Sequence, residues 1–107
     1  MFITDRDYVT AEESNQLREE NKDLKQGDLI YYIDYDSLKI YGADVEGAWP
    51  ESNDIRIRIH FERYDSSVGY KYSYSDFAFN LCRTREEAKN RVKILKKRRK
   101  IWNQIWF

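Results

Sequence analysis

The chain has very little cysteine, proline or histidine, and each scarcity excludes a kind of site. Among its 107 residues there are one cysteine, Cys82, one histidine, His60, and one proline. A single cysteine excludes an internal disulfide and a zinc site built on paired cysteines, and it is typical of a reducing compartment. The sequence has no apolar run of signal-peptide or membrane-span length. We therefore expect a cytoplasmic protein that does not bind membranes.

Motifs for catalysis and cofactor binding are also lacking. A cysteine nucleophile would need His60 and Cys82 to meet, and a metal site needs three or four converging ligands. Asp34 and Asp36 form a D-x-D pair, but an EF-hand loop beginning there would lack the required glycine and glutamate. No phosphate-binding or nucleophile-elbow glycine motif occurs. The sequence therefore predicts no enzyme, no metal and no cofactor.

Charged and aromatic residues are abundant instead. They make up 36% and 16% of the chain, and nine of the seventeen aromatic residues are tyrosines. This composition is that of a folded domain, and the length predicts a single domain over residues 1–107. The net charge is zero, but residues 83–107 carry ten bases and two acids, whereas residues 1–82 have an excess of acids.

Two helices are predicted at the ends of the chain. Thr10 with Glu13 has capping-box spacing, and Gly27 suits a left-handed C-cap, which predicts a helix over residues 10–25. Thr84 with Glu87 repeats the spacing, and the following pattern predicts a long helix over residues 84–105. About half the circumference of the second helix is apolar. That arc comprises Val92, Ile94, Leu95, Ile101, Trp102, Ile105 and Trp106.

Residues 29–81 follow the pattern of an antiparallel sheet. The clearest strand is residues 55–63, where isoleucines and Phe61 alternate with arginines and His60, which predicts one buried and one exposed face. Other strands are predicted at residues 29–34, 38–49 and 69–75, with a short fifth at 77–81 and bends at Gly42 and Gly47. Four or five short strands between two helices predict an α+β fold, with a small curved antiparallel sheet or SH3-like β-barrel.

The run KQGDLIYYIDYDSLKIYGADV, followed by a phenylalanine-rich strand and the helix start TREEA, resembles small SH3-like proteins encoded by bacteriophages and mobile elements. The resemblance spans roughly residues 25–92 and includes no catalytic motif. It implies an accessory protein that acts in the host cytoplasm.

Two groups of residues on the predicted sheet are candidates for contact with a partner. On the exposed side of the strand at residues 55–63, two arginines can grip carboxylates in bidentate fashion. A row of tyrosines on the next strand offers an aromatic platform or core packing. The residues predicted to bind a partner are Arg56, Arg58, His60, Tyr70, Tyr72 and Tyr74.

The second helix carries a lysine face opposite its apolar arc. Such a face can bind a polyanion. The alternative is a solvated surface. The sequence favours this alternative, because acids elsewhere bring the total charge to zero. The face comprises Lys89, Lys93, Lys96, Lys97 and Lys100.

The chain ends in large apolar residues, among them Trp102, Trp106 and Phe107. They predict docking onto the sheet or self-association, so a homodimer is one expected state. For the chain as a whole we expect a non-enzymatic protein that occupies a macromolecular surface, in its most concrete form a phage-encoded inhibitor of a host or defence protein, similar in role to anti-CRISPR proteins. The alternative is a nucleic-acid-binding module that uses the basic helix and exposed aromatic residues.

Overall fold

The computed structural model describes residues 9–61 and 69–106, and of residues 101–106 it describes the backbone alone. The chain forms two helices and five strands in these residues, joined in places by short 3-10 helices at Pro50–Ser52 and Tyr74–Ala78. The helices are α1 (Ala11–Asn21) and α2 (Arg85–Trp106), and the strands are β1 (Leu29–Ile33), β2 (Ile40–Trp49), β3 (Asp54–Ile59), β4 (Tyr70–Ser73) and β5 (Leu81–Cys82).

The strands form one antiparallel sheet in the order β4-β3-β2-β1-β5. The sheet curls into a half-barrel, and the Tyr74–Ala78 helix connects its two edge strands, β4 and β5. The predicted α+β fold with a curved sheet and a helix at each end is confirmed. None of the helices in the described ranges is long and apolar enough to cross a membrane.

The main core lies on the inner face of the sheet, toward α1 and the Tyr74–Ala78 helix. The alternation in β3 is as predicted: Ile55, Ile57 and Ile59 are at most 2% exposed, whereas the residues between them are exposed. Branched side chains on a half-buried strand bury one face because successive side chains point to opposite sides. The inner core comprises Leu24, Ile30, Ala43, Val45, Ile55, Ile57, Ile59, Tyr74, Phe77 and Leu81.

Helix α2 packs on the outer face of the sheet, where it contacts β1 and β5. A smaller core forms there from Ile33, Leu38, Cys82, Ala88 and Leu95. The remaining outer face, formed by β2 and β3, presents exposed polar side chains. The sheet is thus covered on its inner side and only half covered on its outer side.

Two arginines fasten α2 to the sheet through backbone oxygens. Arg91 donates hydrogen bonds to the carbonyl oxygens of Phe77 and Phe79, at 2.8–3.3 Å. Near the other end of the contact, Arg99 donates to the carbonyl oxygen of Asp36 at 3.0 Å, and its guanidinium lies 5.0 Å from the centre of the Tyr35 ring. In both contacts a charged guanidinium donates to neutral carbonyl oxygens, so α2 is oriented without an ion pair to a carboxylate.

Several predicted boundaries differ from the structure. Helix α1 ends at Asn21, whose side chain donates to the carbonyl oxygen of Leu17 at 2.8 Å. Gly27 does adopt the left-handed conformation, with φ of +95°, but in the turn before β1 and not as the helix cap. The predicted strand at 69–75 ends at Ser73. The predicted fifth strand at 77–81 begins in the Tyr74–Ala78 helix and continues in a turn, so β5 is only the two residues Leu81–Cys82.

Two residue-level predictions are wrong. Gly42 pairs regularly with Tyr31 and makes no bulge, whereas the register shifts between Val45 and Gly47. Ile94 was expected in the apolar arc of α2 but is 47% exposed, because α2 rests on the sheet through a narrower stripe that includes Ala88 and Leu95.

Candidate functional site on the outer sheet face

The exposed part of the outer face forms a surface of charged residues on β2 and β3, with one tryptophan. We call it the β2–β3 surface. It depends on two local features. One is the alternation in β3, and the other is the bulge in β2, where Val45 pairs with Ile57 and Gly47 with Arg56, which leaves Glu46 as the extra residue. The β2–β3 surface comprises Asp44, Glu46, Trp49, Arg56, Arg58 and His60.

Glu46 lies between the two arginines and contacts both. Its carboxylate oxygens are 2.9 Å from Arg58 Nε and 3.2 Å from Arg56 Nε. The Glu46 side chain is 18% exposed, whereas those of Arg56 and Arg58 are 53% and 45% exposed. The acid is therefore the inner member of the group, and the two guanidiniums are held at the surface in fixed positions.

His60 continues this row at the other end of β3. Its Nε2 is 2.7 Å from Asp44 Oδ1, and again the acid is the less exposed partner, at 24% against 55%. The arrangement alternates bases and acids across two strands, which is the favourable cross-strand placement of opposite charges. Exposed ion pairs of this kind stabilise a fold by only about 0–1 kcal/mol, so their main effect here is to fix side-chain positions.

Trp49 stands at the end of β2 with half of its side chain exposed. Its ring packs over Gly47: a methyl group at the Gly47 α-carbon would lie 2.6 Å from Cη2 and 3.1 Å from Cζ2 and Cζ3. Gly47 pairs with Arg56 across the sheet, so the indole and the first guanidinium are neighbours on one surface. The ring can pack at this position because Gly47 has no side chain.

Gly69 makes a second close approach on the same surface. A methyl group added there would collide with the carboxylate of Glu46 and would lie 2.5 Å from Arg56 Nε. The backbone before β4 thus lies close against the Glu46–Arg56 pair, and a larger residue at Gly69 would have to displace these two side chains.

We expect Gly47→Ala to displace the Trp49 ring, because the added methyl group needs the space that the indole occupies. In a two-dimensional NMR spectrum, one of the three tryptophan indole N–H signals should shift strongly while the other two stay in place. Gly42→Ala is the matched control, since open space surrounds its α-carbon. If both variants leave all three indole signals unchanged, Trp49 does not pack on Gly47.

The predicted tyrosines do not join the arginine row. Tyr70 and Tyr72 pair with Ile57 and Ile55, so they lie on the inner face, opposite the β2–β3 surface. Tyr74 is fully buried and unavailable to a partner, Tyr72 is half-buried and Tyr70 is 42% exposed. The two predicted groups, the arginine side of β3 and the tyrosine row, therefore lie on opposite faces of the sheet, and Tyr74 belongs to the core.

Tyr72 belongs to an aromatic cluster on the inner face. Its ring centre is 6.2 Å from that of Tyr32, and Tyr41 lies 4.9 Å from Phe61. Burial raises the pKa of Tyr72, and of Tyr32 with it, because a phenolate would lose its hydration there. The raised pKa values and close rings indicate packed core residues for these two tyrosines.

The five lysines predicted as a polyanion site are all exposed on α2. The residues predicted for self-association fall outside what the structure describes: Phe107 entirely, and Trp102 and Trp106 as to their side chains. That prediction stands as it was made.

The two unique reactive residues are far apart. Cys82 lies on β5 and His60 directly follows β3, and β2 and β1 separate these strands, which places them about 14 Å apart at ordinary strand spacing. Cys82 is 1% exposed, and burial raises the pKa of its thiol. A His60–Cys82 dyad is therefore absent, and within the described ranges no three His, Cys, Asp or Glu side chains are placed to share a metal ion.

Sequence reasoning missed Trp49 and Glu46 as members of this surface. Trp49 was predicted only as the last residue of a strand, and Glu46 carried no motif. The signal for both was Gly47, since a glycine within a strand next to an aromatic residue indicates a bulge or a close approach. The sequence predicted a bend there but not which side chains it would bring together.

No protein-family model matches the chain, and no curated protein or solved structure is similar enough to it to count as a match.

Proposed function

We propose that this protein is a non-enzymatic binding protein that acts by occupying the surface of a partner protein with its β2–β3 surface. The observation that carries the proposal is an exposed tryptophan beside exposed arginines on a sheet face that no helix covers in the described residues. Tryptophan and arginine are the residues most enriched among those that dominate binding energy in protein interfaces.

The fixed positions of these side chains support the proposal. Binding costs about 0.5–1.5 kcal/mol for each flexible side chain that becomes immobilised. Trp49 is already seated on Gly47, and Glu46 already holds Arg56 and Arg58. A partner therefore meets anchors that have lost much of this freedom in the free protein.

The charges of the surface indicate the kind of partner. Its bases are more exposed than its acids, so a partner first meets Arg56, Arg58 and His60. A partner with surface carboxylates beside an apolar recess for the indole fits this pattern. Inhibition of a host or defence protein, which the resemblance to phage proteins implies, is one form of the proposed function.

The test is a comparison of baits in a pull-down from the native host, with quantitative mass spectrometry. The variant Trp49→Ala with Arg56→Ala removes two anchors and leaves Glu46 paired with Arg58. Because each anchor of this type is typically worth about 2 kcal/mol or more, we expect the partner's affinity to fall by about two to three orders of magnitude. The melting temperature should change by only a few degrees, since both side chains are half exposed.

The matched control is Ile94→Ala with Arg85→Ala, which makes the same kinds of change at exposed positions on α2. It should retain the partner at the wild-type level. If the control loses the partner while the variant without Trp49 and Arg56 keeps it, the contact surface is on α2 and the proposal is wrong.

A further inference from the structure

Helix α2 contains a run of bases without a single acid. Residues 89–100 comprise eight lysines or arginines and no aspartate or glutamate. Two of the arginines, Arg91 and Arg99, are only partly exposed and donate to backbone oxygens in the segments that connect the strands. The five lysines are fully at the surface. We call Lys89, Lys93, Lys96, Lys97 and Lys100 the lysine flank.

Helical geometry places the lysine flank on one side of α2. The buried stripe runs through Ala88 and Leu95, and Arg91 reaches Phe77 and Phe79, which directly precede β5. At about 100° per residue, the five lysines fall on the side away from Arg91, and they recur about once per turn. The flank therefore faces away from the β5 edge of the sheet.

No acid that the structure describes forms an ion pair with the lysine flank. Within the described residues, none of the five lysines forms an ion pair, whereas bases elsewhere have acidic partners. Asp23 pairs with Arg83 at 2.8 Å, and Glu46 is held between the two arginines of β3. The zero net charge, which favoured a solvated face, therefore includes acids such as Asp23 and Glu46 that pair with other bases, although Glu86 precedes the lysines on the same side of α2.

We propose that the lysine flank binds the phosphate backbone of duplex nucleic acid without reading its sequence. Eleven residues separate Lys89 from Lys100, so the flank extends over about 16 Å. Each strand of a duplex carries one phosphate about every 3.4 Å of the helix axis, so about four or five phosphates of one strand lie within reach of the lysines. Charge complementarity is the whole of the attraction, since lysine ammonium groups act as point charges.

A duplex fits this surface better than a single strand. Single-strand binding relies on aromatic side chains that stack on the bases, next to the charged groove. Here the cluster of Tyr32, Tyr41 and Tyr72 lies on the inner face of the sheet, whereas α2 lies on the outer face. Tyr35 does lie beside α2, but its ring already contacts Arg99, which is not part of the lysine flank. The described aromatic cluster is thus on the face away from the flank, and backbone phosphates are the ligand that fits the lysines.

This inference stands apart from the proposed protein contact, because the lysine flank and the β2–β3 surface share no residue. It is tested by fluorescence anisotropy of a labelled 20-base-pair DNA of arbitrary sequence, at several NaCl concentrations. We expect log affinity to fall with log salt with a slope of about −4, which is a loss of about two orders of magnitude between 50 and 200 mM.

The variant Lys93→Gln with Lys97→Gln should make the slope shallower, from about −4 to about −2, and weaken binding at 50 mM by at least about tenfold. Lys22→Gln with Lys25→Gln removes the same charge from exposed positions near α1 and should change the slope and affinity little. Circular dichroism confirms that both variants are folded, which is expected because these side chains lie outside the core.

Three results would overturn the proposal. One is the absence of duplex binding at 50 mM, and another is an equal loss in both lysine variants, which would mean a diffuse charge effect. The third is tighter binding of an unlabelled competitor other than the duplex: single-stranded DNA would indicate a stacking site, and polyglutamate would indicate an acidic protein as the ligand.

Discussion

Replacement of Ile57 by alanine should lower the free energy of unfolding by about 2–5 kcal/mol, measured by urea denaturation. Ile57 is fully buried in the inner core, on a central strand between β2 and β4. The change removes buried methyl and methylene groups and leaves a cavity that a curved sheet with strands on both sides cannot close. A loss of this size is a large part of the stability of a domain this small.

Leu29→Ala is the matched control, because Leu29 lies on β1 but is 72% exposed. Its effect should stay within about 0.5 kcal/mol, as for most surface substitutions. If the two substitutions cost the same, the faces of the sheet are assigned the wrong way round.

Leu95→Asp should detach α2 from the sheet, whereas Ile94→Asp should leave it in place. Leu95 is 5% exposed in the outer core, and a carboxylate there would lose most of its hydration and the apolar contacts of the leucine. Ile94, its neighbour in sequence, is 47% exposed, and an acid at that position stays in water. We expect the first change to cost more than about 4 kcal/mol, and the second less than about 1 kcal/mol.

Cys82 provides the measurement. Its thiol is 1% exposed and packs in the same outer core as Leu95. Reaction with a thiol reagent under native conditions should be slow in the wild type and in Ile94→Asp, and fast in Leu95→Asp. Equal protection of Cys82 in all three proteins would show that α2 is not what covers this thiol.

The β2–β3 surface was predictable only in part. The alternation of isoleucine and arginine identified Arg56, Arg58 and His60 as the exposed side of one strand, and the structure confirms that side. The acids that hold them, Asp44 and Glu46, are 10 or more positions away in the chain. Their placement depends on the register between β2 and β3, and the bulge that sets this register is not specified by a local motif.

The lysine flank shows the same limit in terms of charge. The sequence gives the number of acids and bases but not the distances between them, and Coulomb energies depend on distance and screening. A net charge of zero is therefore compatible with two arrangements: lysines that pair with nearby acids, and lysines that have no acid close to them. Only the folded chain shows that acids such as Asp23 and Glu46 pair with bases other than the five lysines.

The sequence by itself determined the α+β class, the capped starts of both helices at Thr10 and Thr84, and the two faces of β3, because caps and alternation act within a few residues. Tertiary structure alone decided that Tyr74 is core, that Ile94 is exposed beside a buried Leu95, and that Trp49 rests on Gly47. Each of these depends on which distant segment packs against the residue. The periodicity of apolar residues predicts which face of a helix or strand is buried. How much of that face is buried depends on the segment that packs against it.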